Sequence, residues 1–145
     1  MDGYFVKHAE GEVASLGVAS MRLIVTEEQT RGAFAVAEFR GDEGPWTISH
    51  IHERMEESFY VLDGTFTFLV GDREVPAQQG DFLMVPRGTP HLMRAGAGGG
   101  ALLTLFTPPG LERMFLELGR LPAASITDPK VRAEISERHD SVPVL

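Results

Sequence analysis

An all-β fold, an antiparallel sandwich or barrel, is the class this sequence predicts, and three observations predict it. Short apolar or alternating runs recur from about residue 18 to residue 107, with Gly, Pro and Asp between them. Eight or more such runs at this spacing suit a closed antiparallel sheet. Helical periodicity enters only after Pro108-Pro109-Gly110, so helices are an appendage to the barrel.

The elements follow in order. Ser20–Thr26 and Ala33–Arg40 alternate or run apolar over strand lengths, and Trp46–His52 and Ser58–Leu62 come next. Asp63-Gly64 reads as a tight hairpin turn that pairs Thr65–Val70 back onto Ser58–Leu62. Gly71-Asp72 marks a turn before Arg73–Ala77, and Asp81–Val85, His91–Ala95 and Ala101–Thr107 complete the set. The segment Gly96–Ala101 fits a dinucleotide-binding glycine pattern by letter, but strand follows it where that site needs a helix, so it reads as a hairpin loop. Leu111–Gly119 places Leu111, Met114, Phe115 and Leu118 at helical spacing and ends in glycine. Thr127-Asp128-Pro129 opens a second helix to about His139, with proline in its first turn and a capping side chain before it. Ser141–Leu145 is a short extended tail. No repeat or linker divides the chain, which reads as one domain over 1–145, barrel about 18–107 and helical segment about 110–140.

Composition narrows the function classes. Hydrophobic residues make up 43%, as in a globular domain. No apolar run approaches the roughly 20 residues that span a bilayer, and the N-terminus lacks the basic-then-apolar order of a signal peptide. A net charge of −8 argues against nucleic acid, whose binding is mainly electrostatic. Cysteine is absent, which removes disulfides, thiolate ligands and a cysteine nucleophile; asparagine is absent, which removes N-glycosylation. The expectation is a cytoplasmic protein with a small-molecule partner, no nucleic acid and no membrane. Exposed sheet edges suggest a homodimer, with Tyr4–Val6 available as an added strand.

Two stretches carry ligand chemistry. On a strand, His50 and His52 present both rings on one face, and Trp46 and Ile48 share their parity, as in a lined pocket. Neutral imidazole suits zinc, copper, iron and nickel. Glu53, Glu56 and Glu57 are the nearby carboxylates, and periodicity does not choose among them. His91 follows Pro86-Arg87-Gly88-Thr89-Pro90, a turn that holds the backbone rigidly before the side chain. His8 and His139 lie outside these stretches and read as surface residues, and the charges of Lys130–Asp140 read as a solvated helix face.

These stretches resemble the two motifs of the cupin superfamily. The first, G-x5-H-x-H-x(3,4)-E-x6-G, is matched by Gly44, His50, His52, Glu57 and Gly64, and the gap to Gly64 selects Glu57. The second, G-x5-P-x-G-x2-H-x3-N, is matched by Gly80, Pro86, Gly88 and His91, with Ala95 in place of the asparagine. The short intermotif segment Thr65–Gln79 resembles small single-domain cupins, and Thr107–Phe115 resembles the region after the barrel in quercetinase-like ones. The resemblance implies a double-stranded β-helix (jelly-roll) barrel with one or two short C-terminal helices. It implies one divalent metal ion (Fe, Mn, Ni, Cu or Zn) on His50, His52, Glu57 and His91, with Glu57 also a catalytic base.

Four protein ligands leave coordination positions open, the mark of a catalytic site. Trp46, Phe59, Phe66, Phe82, Met93 and Phe106, with Phe68, Met84 and Leu103, are candidates for an apolar pocket wall that favours a planar or hydrophobic ligand. A dioxygenase of quercetinase type is the first functional expectation. A non-redox cyclase or isomerase and a non-catalytic small-molecule binder are the alternatives.

Overall fold

The computed structural model describes residues 3–144. It holds ten strands and three helices among them: β1 Glu12–Ser15, β2 Ala19–Val25, β3 Ala35–Gly41, β4 Gly44–Pro45, β5 His50–Ile51, β6 Glu56–Val70, β7 Arg73–Gln78, β8 Phe82–Val85, β9 His91–Thr107, α1 Glu112–Gly119, α2 Ala123–Ile126, α3 Pro129–Arg138 and β10 Val142–Pro143. All pairings are antiparallel.

Two long strands organise the barrel. β6 and β9 pair along nearly their whole lengths, from Glu56 opposite Thr107 to Val70 opposite His91. The first half of β6 also carries β8, and its second half carries β7. The late half of β9 carries β3, and its early half carries β4 and β5. Each long strand therefore serves both layers of the roll.

This arrangement corrects two sequence expectations. Asp63-Gly64 is not a hairpin turn, and Gly96–Ala101 is not a hairpin loop; both lie inside continuous strands. The register shifts between Val61 and Asp63 and again between Gly64 and Phe66, so the extra length is absorbed as bulges that bend the strand. Glycine is required at the bend. Gly64 has φ +75°, and a Cβ there would meet the Gly99 carbonyl oxygen at 2.2 Å; one on Gly99 would meet the Gly41 oxygen at 2.2 Å. Three strands thus cross at backbone contact, which only residues without side chains permit.

Trp46–His52 is not one regular strand either. Pro45 has no N–H to continue the ladder. The amides of Trp46 and Thr47 both reach the Met93 carbonyl, at 3.1 and 3.4 Å, while Thr47 Oγ1 accepts from the Met93 amide at 3.1 Å. A side chain replaces a ladder bond here, and strand geometry resumes only at His50. Ile48 is consequently 69% exposed, although it lines the same cavity as Trp46, His50 and His52.

β1, absent from the sequence expectation, pairs with β2. Tyr4–Val6 forms no strand. The helices match expectation more closely: α1 buries Met114 and Leu118, and Asp128 caps α3 by accepting from the Lys130 amide at 2.9 Å. α2 is an added short turn. The tail expected from Ser141 to Leu145 forms β10 on β5, with the Val144 amide donating to the Ser49 carbonyl; Leu145 lies outside the described residues.

Apolar side chains fill two connected cores. One gathers Met21, Leu23, Ala37 and Phe106 with Leu111, Met114 and Leu118, so α1 closes one end of the barrel. The other gathers Phe59, Val61, Phe66, Phe68, Val85 and Met93. Trp46 packs against both, edge-on to Phe66 at 5.0 Å.

Candidate metal centre

His50 and His91 stand opposite each other on adjacent strands, His52 follows β5, and Glu57 reaches in from the start of β6. All four are buried. One ligand atom from each lies within 4.8 Å of all the others. Imidazole–metal bonds of roughly 2.0–2.1 Å place opposed donors about 4 Å apart, so a small contraction closes this set around one ion.

The rings are oriented before any ion arrives. His50 Nδ1 lies 2.7 Å from the Ile48 carbonyl, His52 Nδ1 2.8 Å from the Asp140 carbonyl, and His91 Nδ1 3.0 Å from the Thr89 carbonyl. A carbonyl only accepts, so each Nδ1 carries a proton and donates it, and in the neutral ring Nε2 is left with its lone pair. The Nε2 atoms of His52 and His91 are buried without a hydrogen-bond partner. They face Glu57 Oε2 and Oε1 at 3.7 and 3.6 Å, beyond hydrogen-bond length. Buried unpaired acceptors are costly unless something fills them. The donor set fits a divalent metal ion.

Electrostatics agrees. Burial pushes His50 down to about 4, helped by His91, so its ring is neutral at ordinary pH. Burial pushes Glu57 up, but contact with His91 and the charges of His52, His91 and His50 outweigh it and hold the carboxyl below its ordinary value. Burial pushes His91 down, but Glu57 outweighs it and the net shift is upward. Glu57 is therefore an ionised carboxylate enclosed by imidazoles.

The choice among glutamates has a structural basis. Glu56 points to the opposite face of β6 and pairs with Arg87 outside. Glu53 is exposed, and its amide donates to Asp140 Oδ1 at 3.0 Å. The Pro/Gly frame before His91 also reaches the first cluster: the Gly88 amide donates to the His52 carbonyl at 2.7 Å, with φ +74° at Gly88. Ala95, where the motif has asparagine, is fully buried opposite Phe66 and Gly44 as core packing.

A cavity of about 520 Å³ opens onto His50, His52 and Glu57. Trp46, Phe59 and Met93 line it; Phe66 and Phe106 do not and belong to the cores. Phe82 is 65% exposed and lies outside the wall. The reason is register: Phe82 pairs with Tyr60 and Met84 with Ser58, so inward positions of β8 fall on Leu83 and Val85. Phe68 packs in the second core, and neither Met84 nor Leu103 reaches the wall.

Three polar residues of the site were not singled out from sequence. Thr104 lines the cavity with a buried, unpartnered hydroxyl. Arg132 of α3 lines it too. Asp140, with φ +58°, holds His52 through its carbonyl and the amides of Glu53 and Arg54 through its carboxylate. The expected solvated face of residues 130–140 thus contributes to the site at two positions. His139 is likewise no free surface residue, since its Nε2 lies 2.7 Å from Glu117 Oε2; His8 is exposed.

Comparison with known proteins places these features. The family described as cupin domain matches residues 38–107. Quercetin 2,3-dioxygenase of Bacillus subtilis is 30% identical over 116 residues, which are 80% of this chain; the match covers 34% of that enzyme's length. Among solved structures, KdgF from Halomonas sp. superposes with a TM-score of 0.66 at 20% identity, covering 74% of this chain and 94% of that one. The polyketide cyclase RemF from Streptomyces resistomycificus superposes at 0.62 and 22% identity, over 74% and 80% of the chains. A predicted oxalate decarboxylase from Thermotoga maritima gives 0.65 and 22%, over 73% and 100%.

Proposed function

This chain belongs to the cupin family by its segment 38–107, and from that premise we propose that it is a metal-dependent dioxygenase of the quercetinase type. Its substrate is a planar or apolar molecule that offers an enol, phenol or carbonyl oxygen. The observation that carries this reading is the convergence of three lone-pair Nε2 atoms and one ionised carboxylate beside a largely apolar cavity. The likeness to quercetin 2,3-dioxygenase over 80% of the chain supports it.

His50, His52, Glu57 and His91 would hold the ion. When bound, such an ion supplies Lewis acidity and, if redox-active, one-electron chemistry with O₂. The chain supplies the rest. Glu57, ionised and buried, accepts the proton of a substrate hydroxyl. Trp46, Phe59, Met93 and Leu102 exclude water from the substrate's apolar skeleton. The three carbonyl-anchored rings hold the site rigid, so little reorganisation accompanies binding.

The same four donors accept a non-redox ion equally well, which is the ground for a second reading as a cyclase or isomerase. Elemental analysis of protein purified without added metal separates the two. Iron, manganese, nickel or copper, with O₂ uptake on a flavonol or β-diketone, supports the dioxygenase. Zinc at full occupancy, with no uptake after reconstitution by those four metals, overturns it. His52→Ala is expected to lose most of the metal and keep the β-sheet circular dichroism; stoichiometric metal in that variant removes His52 from the site.

A further inference from the structure

We propose that Arg132 is an anion anchor in the cavity and that the substrate carries a carboxylate in addition to the oxygen it presents to the metal centre. This deepens the metalloenzyme reading and rests on it for the cavity's being the substrate site.

The wall of the cavity is almost wholly apolar or neutral. Among the described residues its two ionised side chains are Glu57, within the metal centre, and Arg132. Arg132 is half-buried on α3, and its guanidinium donates one hydrogen bond among the described residues, from Nη1 to the Ile126 carbonyl at 3.0 Å. Among the described residues no carboxylate pairs with it, whereas Arg113, Arg120 and Arg138 each hold a glutamate on the surface. A guanidinium lining an apolar cavity without a counter-ion is partly desolvated and uncompensated, a condition that a bound anion relieves. Its planar fork matches a carboxylate in two parallel hydrogen bonds.

A second unsatisfied group points the same way. The Thr104 hydroxyl is buried on the wall with no partner among the described residues, ready to donate to a ligand oxygen. Polar groups in an apolar pocket fix a ligand's orientation, and these two lie apart in sequence on a strand and a helix. Charge bookkeeping selects a monoanionic group. A divalent ion, Arg132 and ionised Glu57 sum to about +2, which one enolate and one carboxylate of a single ligand neutralise. The cavity's size suits such a small molecule.

The test uses the full-length chain and two matched probe pairs: 3-phenylpropionate and 4-phenylbutyrate, each against its primary amide. Binding is read by calorimetry and by the fluorescence of the single tryptophan, Trp46, which lines the cavity. An acid is expected to bind about tenfold more tightly than its amide, as a charge-assisted hydrogen bond is worth that factor, and added salt is expected to narrow the gap. Arg132→Gln is expected to erase the gap, and Arg132→Lys, which keeps the charge and guards against a folding effect, to retain part of it. The series is repeated after chelation. A gap that survives chelation and vanishes in Arg132→Gln supports the anchor even if the protein proves to hold no metal. Equal binding of acid and amide, no binding of either acid at millimolar concentration, or a gap that persists in Arg132→Gln overturns it.

Discussion

The backbone carbonyl of Asp140 accepts the Nδ1 proton of His52 at 2.8 Å, across 88 residues of chain. The residue that orients one candidate ligand thus comes from the segment after the last helix. Its own carboxylate is fixed by the amides of Glu53 and Arg54, at 3.0 and 2.9 Å, so carbonyl and side chain grip the same stretch of backbone. The left-handed φ of +58° makes both contacts possible, and aspartate tolerates it better than most residues. Asp140→Ala is expected to weaken metal binding by about tenfold, the lower end of what outer partners contribute, and Asp140→Asn by less. Competition with a chromophoric chelator measures this. Unchanged affinity in the alanine variant would make the contact merely structural.

Adjacent glutamates give a sharp contrast. Glu57 is buried among the imidazoles, while Glu56 faces outward to Arg87. Glu57→Gln removes the only negative charge of the donor set and is expected to lower metal affinity by at least about tenfold. Glu56→Gln is expected to leave metal content unchanged. Equal effects of the two substitutions on bound metal would show that Glu57 is no ligand.

Protons compete for the same atoms. His50, depressed from 6.5 to about 4 chiefly by burial, is already neutral at pH 7. Its folded value lies below the unfolded one, so its contribution to stability is complete above pH 6.5 and is lost as pH falls towards 4. His91 has the opposite sign. Raised by Glu57, it contributes fully below pH 6.5 and loses that contribution as pH rises through its folded value. Metal binding is therefore expected to release more protons as pH falls, from His91 before His50. Calorimetric titration in buffers of different ionisation enthalpy counts them, and His91→Gln, if it still binds metal, should release less. Proton release that stays constant as pH falls from 7.5 to 5.5 would contradict the assignment.

The bend of β6 makes a stability prediction. Gly64→Ala places a Cβ against the Gly99 carbonyl in a conformation that disfavours side chains. A loss of about 2–4 kcal/mol is expected from strain and overpacking together. Urea unfolding measures it, and a change within about 0.5 kcal/mol would mean that the crossing yields more readily than its geometry suggests.

What sequence disclosed and what it hid follow one rule. Strand parity put His50 and His52 on one face, the resemblance to the two motifs chose Glu57 and joined His91 to it, and the structure brings the four together. The same logic failed where register broke. Trp46–His52 is no single regular strand because Pro45 and Thr47 interrupt the ladder, and Asp63-Gly64 mimicked a hairpin because a bulge and a turn use the same residues. Phe82 is apolar on an exposed face, a position that hydropathy cannot distinguish from the inner one. Asp140 and Arg132 were hidden for another reason. Both belong to the mixed-charge run of residues 130–140, and only tertiary packing shows which charges meet the barrel.

The grip of Asp140 and β10 on the ligand strand also orders events in time. All four donors precede residues 140–144 in sequence, so the donor set is complete along the chain before His52 gains its carbonyl partner. Early capture of an ion would meet a looser, less selective set. The fully anchored cage forms only when residues 140–144 dock on β5, which ties the choice of metal to that docking.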